Sequence, residues 1–166
     1  VLTDELIEAI TKIAIEKRIF MVADSQSSSQ TGDISRFKSM DLITPTEREA
    51  RLSLRDNQNG LIVIADRLKE KSFSKNILLK IGDEGVIIHA DNDINKDWIT
   101  DRIPALNSNP IDVAGAGDSM LIASSMALAL KANIWESALL GSIAAAIQVS
   151  RIGNIPLTTE EFLSNI

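Results

Sequence analysis

The run Asp112-Val113-Ala114-Gly115-Ala116-Gly117-Asp118-Ser119 is the part of the sequence best suited to chemistry. Its small residues let successive backbone N–H groups converge on an anion. The apolar stretch Met120 to Leu130 predicts a helix whose dipole adds partial positive charge at that point. Asp118 falls on the first turn of this helix. A carboxylate there can accept a proton from an attacking hydroxyl, while Gly115, Ala116 and Gly117 supply an anion hole for a transferring phosphoryl group. The plainer alternative is that Asp118 caps the helix and the glycines only turn the chain. Two other glycine loops are excluded. A dinucleotide fingerprint needs a third glycine where Met120 stands, and a Walker loop needs a Gly-Lys pair, which the sequence lacks.

The elements that must position this loop follow from periodicity. Thr3 caps a helix carrying Leu6, Ile7, Ile10 and Ala14, with Ile13 and Ile15 beside them, closed by Lys17 and Arg18. Ile19 to Ala23 reads as a strand buried on both faces, Ser25 to Asp33 as a polar loop, and Asp41 to Thr44 as a second strand stopped at Pro45. Helices are expected over Thr46 to Leu54 and, after the Asn59-Gly60 turn, from Leu61 through Leu68. Asn76 to Ile81 and Val86 to Ala90 flank Gly82-Asp83-Glu84-Gly85 as a hairpin, and Trp98 to Ile103 alternates like an edge strand. Met120 to Leu130 and Ile134 to Arg151 are apolar on most faces, which predicts deep packing, and Thr158 with Glu161 forms a capping box. The pattern is that of one layered α/β domain with a mostly parallel sheet and an antiparallel margin.

Composition narrows the partners. A net charge of −6 with scattered Lys and Arg argues against a nucleic-acid surface, and no apolar run reaches the roughly 20 residues of a membrane span. The absence of cysteine removes disulfides and thiolate metal sites and fits a reducing compartment, so cytoplasm is the expected location. Residues 1–10 carry three acidic side chains and no signal-peptide pattern. A helical pattern starting almost at Val1, without an initiator methionine, suggests that a segment precedes it.

The glycine loop resembles the second signature of the ribokinase-like, PfkB-type carbohydrate kinases, D-T-x-G-A-G-D-S. Leu42-Ile43-Thr44-Pro45-Thr46-Glu47-Arg48-Glu49 resembles their L-x-T-P-N-x-x-E segment, Leu79 to Gly85 resembles the T-x-G-x-x-G nucleotide loop, and Arg151-Ile152-Gly153 resembles a glycine turn near the nucleotide. Val22-Ala23-Asp24 and Phe37 to Leu42 are similar to the heptose phosphate kinase branch, associated with ADP-heptose synthesis.

The resemblance implies a ribokinase-like α/β/α domain, 1–166, of which this is the C-terminal, nucleotide-binding half, without the N-terminal sugar-binding and lid part. It implies ATP-dependent transfer of the γ-phosphoryl group to a sugar or sugar phosphate, with Asp118 as catalytic base. Lys80, Gly82, Asp83, Gly85, Thr46 and Gly153 would lie at the nucleotide, Glu49 would hold Mg2+ through water, and Asp112 would hold a monovalent cation such as K+ or brace the loop. A homo-oligomer is left open.

Departures from the pattern are Thr46 for Asn, Gln26 for Lys in D-P-K, Ile122 for a small residue, and Lys80 for Thr or Ser. These departures, with the missing first half, motivate the alternative of a non-catalytic nucleotide-binding or scaffold domain. His89 in its apolar strand, Trp98 and Trp135 read as structural. Ala144, Ala145 and Ala146 permit close helix packing and could wall an adenine pocket.

Overall fold

Thr3 accepts a hydrogen bond from the N–H of Leu6 and starts α1 (Asp4–Lys17). Arg18, in the left-handed conformation at φ 55°, ends it, and Ile19 donates back to the Ala14 carbonyl at 2.8 Å. In the computed structural model, which describes residues 2–24, 32–90 and 99–166, there follow β1 (Val22–Ala23), a 3₁₀ turn (Ile34–Arg36), β2 (Leu42–Ile43), α2 (Glu47–Leu54), α3 (Leu61–Ser72), β3 (Asn76–Lys80), a 3₁₀ turn (Gly82–Glu84), β4 (Val86–His89), β5 (Thr100–Ile103), α4 (Ala116–Ala129), α5 (Ile134–Gln148) and α6 (Thr159–Leu163). The strands form one sheet in the order β1-β2-β3-β4-β5. β1 pairs with β2 and β2 with β3 in parallel. Five residues join β3 to β4, too few for a parallel crossover, so this margin is antiparallel. The sheet is therefore mixed, as expected. Gln26, Trp98 and most of the loop expected at 25–33 lie outside the described residues.

The chain divides into two units, 1–79 with 89–100 and 80–88 with 101–166. In the first, the core is made by Leu42, Ile43, Ile64, Leu68, Ile77 and Leu78, all fully buried. Ile64, Ala65 and Leu68 are the inward stripe of α3, as their spacing predicts. Asp56 accepts from the backbone of Gln58 and Asn59 and from the Asn59 side chain, which fixes the turn between α2 and α3 and lowers its pKa to about 2.

Two packing expectations are corrected. In α1 only Ile7 and Ala14 are buried, while Leu6, Ile10, Ile13 and Ile15 are exposed; likewise Ile19 and Phe20 are exposed and the strand is confined to Val22–Ala23. The chain is still closing α1 at Ile19, so it cannot yet be extended. In the second unit, α4 and α5 are not buried on most faces: Ile122, Met126 and Leu130 are 57%, 63% and 83% exposed. Most of their buried residues are small, Ser124 and Ala127 on α4, Ser137, Ala138, Gly141, Ser142 and Ala144 on α5, with Met120, Ile134 and Gln148 the larger ones. A Cβ on Gly141 would stand 2.1 Å from the Ser124 Oγ and 3.0 Å from the Met120 carbonyl oxygen. Met120 also lies at this contact, its Cγ 3.1 Å from that Cβ, whereas Ile122, Met126 and Leu130 are left exposed.

His89 is 1% exposed, with Nδ1 2.9 Å from the Thr100 Oγ1 and Nε2 3.5 Å from the Asp66 carboxylate. Among the described residues no group of three His, Cys, Asp or Glu side chains could hold a metal. Burial, helped by Lys69, lowers the pKa of His89 against the opposing pull of Asp66. The unfolded chain then binds a proton at about pH 6.5 that the folded chain resists. Stability conferred by neutral His89 is thus full above that value and is lost as pH falls toward the lower folded pKa. Thermal melts from pH 7.5 down to 5.5 should show a falling Tm, and His89→Asn should remove that slope.

Candidate functional site

In the second unit the glycine loop enters α4 as the sequence predicts. Gly115 is the helix N-cap at φ 78°, ψ −1°, and no side chain caps the helix. Asp118 lies exposed on the first turn, so it is not the capping residue. Ser119 donates to the Gly115 carbonyl at 2.9 Å and Ala116 to the Val113 carbonyl at 3.3 Å. The N–H groups of Gly117 and Asp118 meet no acceptor among the described residues. Two unsatisfied donors at the positive end of a helix dipole, beside an exposed carboxylate, can bind an anion and remove a proton next to it. Gly115 stands at φ 78°, where an L side chain is strained, and a Cβ there would also require the exposed Asn154 side chain, 2.2 Å away, to move.

Asp112 braces this loop. Oδ1 accepts from the N–H of Ala114 at 3.0 Å and Oδ2 from the N–H of Gly153 at 2.9 Å, and these two bonds hold the carboxyl below its usual range. Gln148, 1% exposed, donates from Nε2 to the carbonyls of Ala114 and Gly153 at 3.2 and 3.1 Å. Its Oε1 accepts from Arg151 at 3.3 Å, and Arg151 pairs with Glu161 at 2.9 Å. The Asp112–Gly115 loop and Gly153 are thereby joined by Asp112 itself and by Gln148, a residue not singled out in the sequence, which Arg151 of the Arg151-Ile152-Gly153 segment holds in turn.

The Lys80 to Gly85 segment belongs to the same unit. Gly82 (φ 67°) begins the 3₁₀ turn, Asp83 is exposed, and Gly85 (φ 99°) returns the chain into β4, with Ile81 donating to the Gly85 carbonyl at 2.9 Å. Arg102 holds the turn through the Glu84 carbonyl at 2.8 Å. Elsewhere in this unit a cavity of about 480 Å³ is lined by Leu106, Asn107, Ile143, Ala146, Ile147 and Asn165. Asn107 Nδ2 donates to the Ala146 carbonyl at 3.1 Å across its floor.

Thr46 and Glu49 lie in the first unit and form a capping box at the start of α2. The Thr46 N–H donates to Glu49 Oε2 at 2.7 Å, and the Glu49 N–H donates to Thr46 Oγ1 at 3.3 Å. Glu49 is 3% exposed, so it is not a solvated surface carboxylate. The Thr-x-x-Glu spacing was the available signal.

The sequence profile of pfkB family carbohydrate kinases matches residues 1–160. The chain belongs to that family. Relatives of this pfkB chain include the bifunctional protein HldE of Aliarcobacter butzleri, 28% identical over 165 residues, which cover 97% of the chain and 32% of the relative. The HldE protein of Geobacter metallireducens is 26% identical over 170 residues, 100% of the chain and 33% of the relative. The pfkB chain thus spans about a third of the length of these relatives. Among solved structures, ribokinase from Thermotoga maritima superposes with a TM-score of 0.75 at 25% identity, over 96% of the chain and 52% of the ribokinase. Phosphofructokinase-2 from Escherichia coli, solved in complex with potassium, gives 0.81 at 16% identity, over 98% and 52%. The ribokinase-like fold is thereby shown.

The Thr46 departure has a physical reading, since Thr and Asn are both good helix N-caps. Thr46→Ala should cost about 1 kcal/mol of stability in urea titration, whereas Thr46→Asn should be nearly neutral.

Proposed function

We propose that the protein containing this chain is an ATP-dependent kinase that transfers the γ-phosphoryl group to a hydroxyl of a sugar or sugar phosphate. The observation that carries this is the exposed Asp118 carboxylate beside the unsatisfied N–H groups of Gly117 and Asp118 at the start of α4. The N–H pair and the helix dipole bind the phosphoryl oxygens, where negative charge is held during transfer. Asp118 takes the proton of the attacking hydroxyl, and in-line positioning by the bound nucleotide supplies much of the remaining rate.

The adenine ring fits the cavity of about 480 Å³ walled by Ile143, Ala146 and Ile147, a size ordinary for such ligands. Gly82 leaves open space above its backbone, consistent with approach of the nucleotide to the Lys80–Gly85 turn. Mg2+ takes hard oxygen donors and keeps several waters. Glu49, at the position that the family resemblance associates with Mg2+ through water, carries such a donor. When bound, Mg2+ neutralises charge on the phosphates. Resemblance of residues 22–24 and 37–42 to the heptose phosphate kinases supports a heptose phosphate as acceptor.

The reading is tested by incubating the full-length protein with radiolabelled ATP and a panel of sugars and sugar phosphates, heptose phosphates included. Label transfer to an acceptor hydroxyl is expected. Nucleotide binding without transfer to any member of the panel would instead support the binding-domain alternative.

A further inference from the structure

Asp112 raises a question of charge. A monovalent cation beside this carboxylate would have to draw its other ligands from nearby backbone carbonyls, the groups that replace a potassium ion's hydration shell. The carbonyls carried by the two residues whose N–H groups grip Asp112 are those of Ala114 and Gly153. Both already accept from one donor, the Gln148 Nε2, at 3.2 and 3.1 Å. The orientation of the amide is fixed by its partners: the two carbonyls can only accept, and Arg151 on the far side can only donate to Oε1. Both Asp112 oxygens are likewise engaged by backbone N–H groups. Each of these oxygens keeps a second lone pair, but both carbonyls converge on the Nε2 atom, so the point at which an ion would bridge them is already filled by a donor and a monovalent ion does not fit there.

We infer that the Gln148 carboxamide does the work of a monovalent cation, cross-linking the Asp112–Gly115 loop to the Gly153 turn, and that this chain needs no such ion. The positive charge an ion would bring is provided at one remove. Arg151 polarises the amide through Oε1, which strengthens donation from Nε2 to the two carbonyls, and Arg151 is itself held by Glu161 on α6 and by the Ile155 carbonyl at 2.6 Å. Gln148 is 1% exposed, so this donor is not shared with water. Gln148 is thus a positioning residue for the anion hole, acting through the carbonyl of Ala114, one residue before the N-cap Gly115.

The inference concerns the build of the loop and is read without reference to phosphoryl transfer, so it stands or falls separately from the proposed activity. Thermal unfolding of the chain is compared in potassium, sodium and tetramethylammonium chloride at equal ionic strength, for the parent, Gln148→Ala and Gln148→Glu. An ion that binds only the folded state raises Tm with its concentration. The parent is expected to melt within about 1 °C in all three salts, since it has no site to fill. Gln148→Ala should melt lower in tetramethylammonium and recover several degrees in potassium. Gln148→Glu, which sets a carboxylate against two carbonyls, should show a still larger potassium effect. A potassium-dependent rise in the parent would overturn the inference. So would a loss in both variants that no cation relieves, because Gln148 would then be a brace and not a substitute, or variants indistinguishable from the parent in every salt.

Discussion

Asp118→Asn in the full-length protein should lower kcat by about 10²- to 10⁴-fold, the usual worth of a positioned general base, while leaving nucleotide affinity within about twofold. The substitution is close to isosteric. The Asp118 side chain accepts no hydrogen bond among the described residues and does not cap α4. What the fold loses is one anionic side chain on a helix first turn, about 0.3–1 kcal/mol at most. Steady-state kinetics paired with calorimetric titration of ATP separates the two effects. Turnover preserved in the variant would remove Asp118 from the chemistry, and loss of both turnover and ATP binding would make it a structural group.

The second large effect belongs to Gly85. A Cβ there would lie 2.1 Å from the Ile103 carbonyl oxygen, 2.6 Å from the Ala105 nitrogen and 2.6 Å from the Pro104 carbonyl carbon, all backbone atoms, with φ at 99°. Neither a rotamer change nor a shift of a flexible side chain can relieve this contact. Gly85→Ala should therefore cost about 3–5 kcal/mol, combining left-handed strain with overpacking. Gly82 is the matched control. It too has positive φ, at 67°, but a Cβ would meet nothing within 4 Å. Gly82→Ala should cost only about 1–2 kcal/mol from the left-handed backbone. Urea midpoints of the two variants, compared at unchanged m-value, measure the difference. Equal losses would mean that crowding against residues 103–105 contributes nothing.

The contrast between these glycines marks what a sequence can convey. Gly82, Gly85, Gly115 and Gly153 all adopt positive φ, and a backbone demand of that kind restricts the residue type tightly enough to be read directly. The same holds for α3, where one apolar stripe and one turn specify both the helix and its buried face. Gln148 was not legible, because its partners are backbone carbonyls 5 and 34 residues away and carry no signature in the sequence. Its one signal is a lone amide at the end of an Ala- and Ile-rich helix, where a buried polar group must find partners. Nor was the outward placement of Ile122, Met126 and Leu130 legible. Apolar composition measures the tendency to be buried, while the contact between α4 and α5 falls at Met120, Ser124 and Gly141 and leaves those three exposed. Glu49 shows a third case: its resemblance to a metal-associated position and its place in a capping box coincide on one side chain.

The bond from Gly153 to Asp112 spans 41 residues of chain, and that from Gln148 to Ala114 spans 34. In kinetic terms these are late contacts. The α4–α5 hairpin can zip from its own turn, but the loop ahead of α4 cannot be set until the segment beyond α5 has come back to it, at the cost of closing a long loop. The loop ahead of α4 then acquires its shape after the α4–α5 hairpin. During synthesis Asp112, Gly115 and Asp118 leave the ribosome well before Gln148 and Gly153, so the proposed anion hole lacks these two supports until both have been made.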